Sequence, residues 1–295
     1  MPDSVPATPC GAPTRGMRQL APNVAAVETP SSALPVGLEK RTRVREMFDA
    51  IAPRYELCNR LMTFGLDGYW RRRTIKLLGL TERSLVADVG CGTGDLARAL
   101  AQQGHEAVGV DLSIGMLLES HTGGAPVVQS DAAMLPLRDG SVDAAVSGFA
   151  LRNFAELVAV IVEMARVVRP GGRIAILEVA RPENRLIKAG HALWFNHAVP
   201  RIGALLSDAA AYKYLPASVA YLPGYHDLAG MLGDAGFTAM RRDLLSSGVV
   251  QVVTATRSGS SRNGGALRRV ALTATTTMAE GPGSGARSGL FGNGE

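Results

Sequence analysis

The spacing of hydrophobic positions in this 295-residue chain changes along its length, and each change predicts a different kind of element. From 41 to 79 apolar residues recur at intervals of three and four, predicting helices over about 41–52, 54–63 and 68–79. Short apolar runs then alternate with helical text. They predict strands at 85–89, 106–110, 126–130 and 143–147, and helices at 95–103, 113–120 and 153–168. A turn at Arg169-Pro170-Gly171-Gly172 leads into the apolar strand RIAILEVA. After a helix at 225–235, the DAGF turn opens a hairpin, 237–244 and 248–256. Strands alternating with helices imply a parallel sheet wound on both sides. The expected fold class is α/β: a doubly wound, mostly parallel sheet of seven strands preceded by N-terminal helices. Residues 183–222 break the rhythm with helical, aromatic-bearing text. They predict a lid insertion over the carboxyl edge of the sheet, where such folds bind ligands.

The two ends read differently. Residues 1–38 are rich in Pro, Ala, Ser and Thr, and 259–295 in Gly, Ser, Arg and Thr, with few large apolar side chains. Such text buries too little surface to offset chain entropy, so both are expected to be disordered tails around one domain at 39–258. The start has no apolar signal-peptide core, and no run approaches the ~18–20 apolar residues that cross a bilayer. Three cysteines, Cys10, Cys58 and Cys91, stand in unrelated contexts and form neither a disulfide framework nor a metal spacing. A reducing, cytoplasmic setting is expected, with no metal.

Charge is unevenly placed. Residues 41–80 hold nine Lys/Arg against four Asp/Glu, whereas 81–258 are slightly acidic. Basic character confined to one segment argues against a nucleic-acid binder. Within that segment Tyr69-Trp70 precede Arg71-Arg72-Arg73. The run reads either as a solvated helix face or as interfacial aromatics and cations that touch lipid headgroups.

The most informative stretch is LVADVGCGTGD at 85–95, a strand entering a glycine turn and then a helix. A dinucleotide turn reads G-x-G-x-x-G and seats a pyrophosphate at the helix start. Here the glycines are Gly90, Gly92 and Gly94, and Asp95 follows. A carboxylate there repels a pyrophosphate and favours a cationic ligand such as the ammonium and sulfonium of S-adenosylmethionine. Asp111, ending the next strand about 20 positions on, is placed to hold ribose hydroxyls. Asp88, in the strand before the turn, adds to the acidic set. Asp131-Ala132 could take the adenine, carboxylate to the exocyclic amine and the small Ala beneath the ring. Ser147 would border the methionine part, or simply cap its strand. Asn153 serves either the site or the N-cap of its helix. Cys91 reads as a small filler of the turn.

Several separated stretches resemble one family. MFDAIAPRYELCNRLMTFGLDGYWRR, DVGCGTGD, SGFALRNF, VVRPGGRIAILEVARP, VPRIG and YKYLPASV are similar to the quinone-ring C-methyltransferases, which act in menaquinone and ubiquinone biosynthesis. The resemblance spans about 44–257 and leaves both tails unmatched. It implies a Rossmann-like class I methyltransferase with adenosylmethionine contacts at Thr93, Asp111, Asp131, Ala132 and Ser147. It also implies a prenylated hydroquinone as substrate and transient contact with the inner face of the membrane. The absence of an organelle-targeting pattern favours demethylmenaquinol over a ubiquinone-pathway benzoquinol.

The implied chemistry needs no metal, because the sulfonium already makes the methyl group electrophilic. Two residues are candidates for handling the phenolic proton. Arg152 could polarise a quinol oxygen, against the plainer reading of a sheet-edge arginine. His197 titrates near neutrality and could be a base, against a structural role on an apolar helix. Tyr212, Tyr214, Tyr221 and Tyr225 read as lid packing. Other readings of the chain are a methyltransferase for another aromatic molecule, an inactive cofactor-binding scaffold, and, more distantly, a nicotinamide oxidoreductase.

Overall fold

The computed structural model describes residues 36–180 and 218–259. Most of the expected lid at 183–222, with His197, Tyr212 and Tyr214, lies outside the described residues, as do 1–35 and 260–295 of the two expected tails.

Seven strands form one sheet: β1 (Leu85–Val89), β2 (Glu106–Asp111), β3 (Val127–Gln129), β4 (Val142–Gly148), β5 (Val168–Val179), β6 (Phe237–Leu245) and β7 (Val250–Arg257). Their order is β3-β2-β1-β4-β5-β7-β6. The first five run parallel, and β7 lies antiparallel between β5 and β6. The order reverses between β1 and β4, and the carboxyl edge at such a switch point is where α/β sheets bind ligands. The expected hairpin is present, closed by a 3-10 turn at Ser246–Gly248.

The helices are α1 (Gly37–Met62), α2 (Asp67–Leu78), α3 (Asp95–Gln102), α4 (Ile114–Leu118), α5 (Leu157–Val167) and α6 (Tyr225–Asp234). Their apolar faces bury the sheet from both sides. On one side α5 and α6 set Ile161, Met164, Leu228 and Leu232 against Ile174, Ile176, Phe237 and Val253. On the other, α2 and α3 set Trp70, Ile75, Leu78 and Leu100 against Val86, Ala175, Leu177 and Val252. Burying each large apolar side chain contributes about 1.5–3 kcal/mol.

Three expectations change. The helices expected at 41–52 and 54–63 are one, because Pro53 lies inside α1 instead of breaking it. Pro53 cannot donate to the carbonyl four residues back, which frees Asp49 O. The freed carbonyl faces α4 at Gly115, where an added Cβ would stand 3.0 Å from Asp49 O. The Arg169–Gly172 segment is not a turn ahead of β5 but an irregularity inside it, since Val142 pairs with Val168 and Ala144 with Arg173. Finally, the helix expected from 153 begins at Leu157; Leu151–Asn153 form a separate 3-10 turn, and the N-cap is Glu156, not Asn153.

The aromatic-basic run is also reassigned. Trp70 and Arg71 are buried, at 6% and 8% exposure, so neither is a membrane-facing residue. Helical periodicity puts them on the face that carries Asp67, Thr74, Ile75 and Leu78 into the core. Trp70 Nε1 donates to Ser246 Oγ, and Arg71 bridges Asp67 and Asp95, tying α2 to the start of α3. Removing that cation leaves two largely buried carboxylates short of a charge partner, Asp67 with only Asn59 and Thr63 and Asp95 with only Arg98. Arg71→Met should therefore lower the unfolding free energy by ~3–5 kcal/mol in urea denaturation. A loss below about 1 kcal/mol would show that the bridge contributes little.

Candidate active site

After β1 the chain passes through Gly90, Gly92 and Gly94, all at positive φ. At Gly90 φ is +72°, and an added Cβ would stand 2.7 Å from the Cβ of Ala150, so the loops after β1 and β4 meet there. At Gly92, with φ +54°, nothing lies within 4 Å of an added Cβ. The turn is left-handed and open on that side, so a ligand can reach the main chain. Gly94 leads into α3, and Thr93 is buried, its carbonyl accepting from His121 N. Cys91 packs against Gly109, and burial pushes its thiol far up, which suits a filler and not a nucleophile.

Three acids converge on this turn. Asp111 Oδ2 accepts from Gly92 N at 2.8 Å and Oδ1 from Ser113 N at 2.9 Å, joining the ends of β1 and β2. Asp88 Oδ2 accepts from Ala97 N at 3.1 Å, satisfying a free amide in the first turn of α3. Its Oδ1 is buried without a partner. Burial pushes the Asp88 carboxyl up to about 7, opposed by the Ala97 amide and Arg71, and burial also raises Asp111. Asp95 is compensated differently: Arg71 and Arg98 both bind it. Its charge is thus already compensated within the protein, unlike those of Asp88 and Asp111, which among the described residues meet only hydrogen-bond donors.

The remaining expected residues are spread along the same edge. Asp131 pairs with Arg41 at 3.0 Å and accepts from Ala133 N at 2.9 Å, next to buried Ala132. Ser147 donates to Val89 O at 2.8 Å, so its hydroxyl ties β4 to β1. Arg152 is no surface arginine: its Nη1 donates to Glu178 Oε1 at 2.5 Å, and its side chain is 12% exposed.

Other residues at this edge carry no glycine-like signature in the sequence. Asp49 Oδ1 accepts from Ser113 Oγ at 2.6 Å and from Gly115 N at 2.9 Å. Tyr55, packed edge-on against Phe48, feels Arg71, Arg152, Asp95 and Asp111, and burial raises its hydroxyl. Lys40 Nζ donates to Phe154 O at 2.7 Å and lies over the Tyr221 ring. Burial lowers the Lys40 ammonium to about 8. All three lie on α1, which therefore crosses the edge from the loop after β4 to the loop after β2. Glu178 had a readable signal, a lone acid in the apolar strand RIAILEVA.

A family model described as the ubiE/COQ5 methyltransferase family matches residues 37–257. The chain belongs to that family. A ubiquinone/menaquinone biosynthesis C-methyltransferase of Syntrophotalea carbinolica is 39% identical over 222 residues, 72% of this chain and 94% of the relative. A demethylmenaquinone methyltransferase of Roseiflexus castenholzii is 38% identical over 236 residues, 78% of this chain and 99% of the relative. Among solved structures, a SAM-dependent methyltransferase of Thermotoga maritima has the same fold, with a TM-score of 0.53 and 17% identity over 72% of this chain and 99% of that one.

This member of the ubiE/COQ5 family is an S-adenosylmethionine-dependent methyltransferase. Its turn fits that donor: Gly92 opens the main chain, Asp111 stands at the end of β2, and the orphaned Asp88 Oδ1 is an acceptor left without a donor in the protein. When bound, the donor supplies an electrophilic methyl group. The raised Asp88 carboxyl sets a pH dependence. Between its ordinary value of 3.8 and about 7 the fold holds a proton that the unfolded chain releases, so Asp88 erodes stability as pH rises through that window and not above it. The Asp88→Asn variant should gain about 2–3 kcal/mol relative to the parent between about pH 5 and about pH 8, measured by chemical denaturation without cofactor. A difference that stays constant with pH would show that Asp88 is ionised throughout.

Proposed function

We propose that this methyltransferase transfers a methyl group to a ring carbon of a prenylated hydroquinone, with demethylmenaquinol as the acceptor. The observation that carries the reading is Arg152, a guanidinium locked by Glu178 where the loop after β4 borders the cofactor turn. A fixed cation there stabilises the negative charge that develops on a ring oxygen as the ring carbon attacks. The Roseiflexus relative is named for demethylmenaquinone alone, which supports the naphthoquinol, whereas the Syntrophotalea name carries both ubiquinone and menaquinone.

The geometry divides the work. The glycine turn, Asp111 and α1 orient the donor, and orientation of two reactants can remove ~7–11 kcal/mol of a barrier. Proton transfer by one side chain contributes 10²–10⁴-fold, or about 3–5 kcal/mol, so it is the smaller term. In this scheme Arg152 and Asn153 touch the acceptor, whereas Asp88, Gly90, Gly92, Thr93, Gly94, Asp111, Asp131, Ala132 and Ser147 serve the donor end.

A lipid-soluble acceptor requires access from a bilayer. No helix among the described residues is long and apolar enough to span one. The corner between α1 and α2 exposes Leu57, Leu61, Leu66 and Tyr69, next to exposed Arg60 and Arg72. Apolar side chains flanked by cations suit an anionic lipid surface, and this corner replaces Trp70 and Arg71 as the contact. The protein should co-sediment with vesicles containing anionic lipid and be released by salt. Retention in the supernatant at low salt would remove the surface contact from the scheme.

The reaction itself is tested with labelled adenosylmethionine and detergent-solubilised demethylmenaquinol beside its benzoquinol counterpart and a simple aromatic acceptor. Methyl transfer to the naphthoquinol is expected to dominate. Arg152→Lys should lower kcat by roughly 10²-fold while the calorimetric Kd for the donor changes little. Loss of donor binding with kcat retained at saturation would move Arg152 to the donor end.

A further inference from the structure

Glu178 is the penultimate residue of β5, at the carboxyl edge of the sheet, and is 1% exposed. Its Oε1 is doubly engaged, accepting from Arg152 Nη1 and from Val179 N at 2.9 Å. Its Oε2 is buried with no hydrogen-bond partner. Two more buried polar atoms share that condition, Nε of its ion-pair partner Arg152 and Oδ1 of the neighbouring Asn153 in the 3-10 turn. Folded proteins seldom leave buried polar atoms unsatisfied, and when they do the atom often serves a ligand. On the two partners of this one ion pair, the acceptor Glu178 Oε2 and the donor Arg152 Nε match a hydroxyl group, which donates once and also accepts.

Resting on the hydroquinone reading above, we propose that Glu178 is the catalytic base, taking the proton of the acceptor's ring hydroxyl at Oε2. Of the other acids of this edge, Asp88 also carries an orphaned oxygen, but on β1 beneath the glycine turn, at the donor end of the scheme. Asp88 and Asp111 hold backbone amides at the ends of β1 and β2, and Asp95 is bound by two arginines. Tyr55, raised by burial, keeps its proton and is a donor. Among the described residues, Glu178 meets Arg152 from the 3-10 turn and pairs on β7 with Gln251, which Arg242 of β6 holds at 2.8 Å. On the α1 side Lys40 fixes the Phe154 carbonyl two residues after Arg152.

The step balances as a proton transfer followed by methyl transfer. The hydroxyl proton moves to Glu178 Oε2 and the O–H electron pair stays on oxygen, enriching the adjacent ring carbon. The ring carbon's electron pair forms the bond to the methyl carbon, and the C–S pair stays on sulfur. The C–H proton at that ring carbon leaves to solvent as the ring regains aromaticity. The oxygen takes its proton back from Glu178, so one proton is released per turnover. Arg152 holds Oε1 throughout, which leaves Oε2 aimed at the acceptor.

The test compares the full-length parent with Glu178→Gln and Glu178→Asp, on demethylmenaquinol and on a ring-halogenated analogue with a more acidic hydroxyl. Denaturation curves check that each variant is folded. Glu178→Gln should lower kcat by at least ~10²-fold with the donor Kd within about twofold. It should also abolish the acidic limb of the kcat pH profile, and the loss should shrink on the halogenated acceptor. Glu178→Asp should restore the limb in part; if Glu178→Gln does not fold, the limb and acceptor dependence of Glu178→Asp decide. An equal loss on both acceptors with an unchanged profile would overturn the proposal and leave Glu178 only as the anchor of Arg152. If the parent methylates no hydroquinone, the functional reading itself fails and the proposal with it. Parent activity and variant behaviour therefore report on the two separately.

Discussion

Burial of negative charge along one edge of a parallel sheet is the constraint that shapes this molecule. Asp88, Asp95, Asp111 and Glu178 all sit at or just beyond the carboxyl ends of strands, where water is largely excluded. An uncompensated buried carboxylate costs several kcal/mol, so each needs a partner supplied by the fold. The partners differ in kind. Backbone amides of Gly92, Ser113 and Ala97 serve Asp111 and Asp88, whereas guanidiniums serve Asp95 and Glu178. Amides satisfy a carboxylate without bringing a counter-charge, so burial raises Asp88 and Asp111; a guanidinium brings one and is itself held in place by the acid.

The strand and helix pattern was legible because burial enforces it. Parallel strands covered on both faces read as continuous apolar runs, and each is bounded by glycine or a polar turn. What escaped reading were places where one residue has two consequences. Pro53 ordinarily ends a helix, but here the carbonyl it frees faces Gly115, and α1 continues. The Pro170-Gly171-Gly172 segment looks like punctuation, yet β4 pairs with β5 on both sides of it. Trp70 and Arg71 look like a surface motif as a string, while their helical phase points them inward. In each case tertiary packing, invisible in a window of neighbours, decided the outcome.

The site was legible to the extent that its chemistry lies in the glycine turn. Gly90, Gly92, Gly94, Asp88 and Asp111 come together as their spacing implies, because a strand–turn–helix unit is local. Contributions from α1 were not legible. Arg41, Asp49 and Tyr55 are 30 or more positions away from the turn in sequence, and nothing in a charged helix says which acid will meet Ser113. Asp95 was misjudged for the same reason, since Arg71 reaches it from another helix. Glu178 is the exception: one acid in the apolar run RIAILEVA conflicts with its surroundings, and such conflict between local pattern and global fold marks functional positions.

α1 binds the two halves of the site to each other. Arg41 holds Asp131 past β3, Asp49 holds Ser113 and Gly115 past β2, and Lys40 holds Phe154 past β4. Those three loops lie at the carboxyl edge of the sheet, so a shift of α1 would move all of them at once. One helix, carried ahead of the sheet in sequence, therefore fixes the positions of all three loops, which local sequence around each loop could not do.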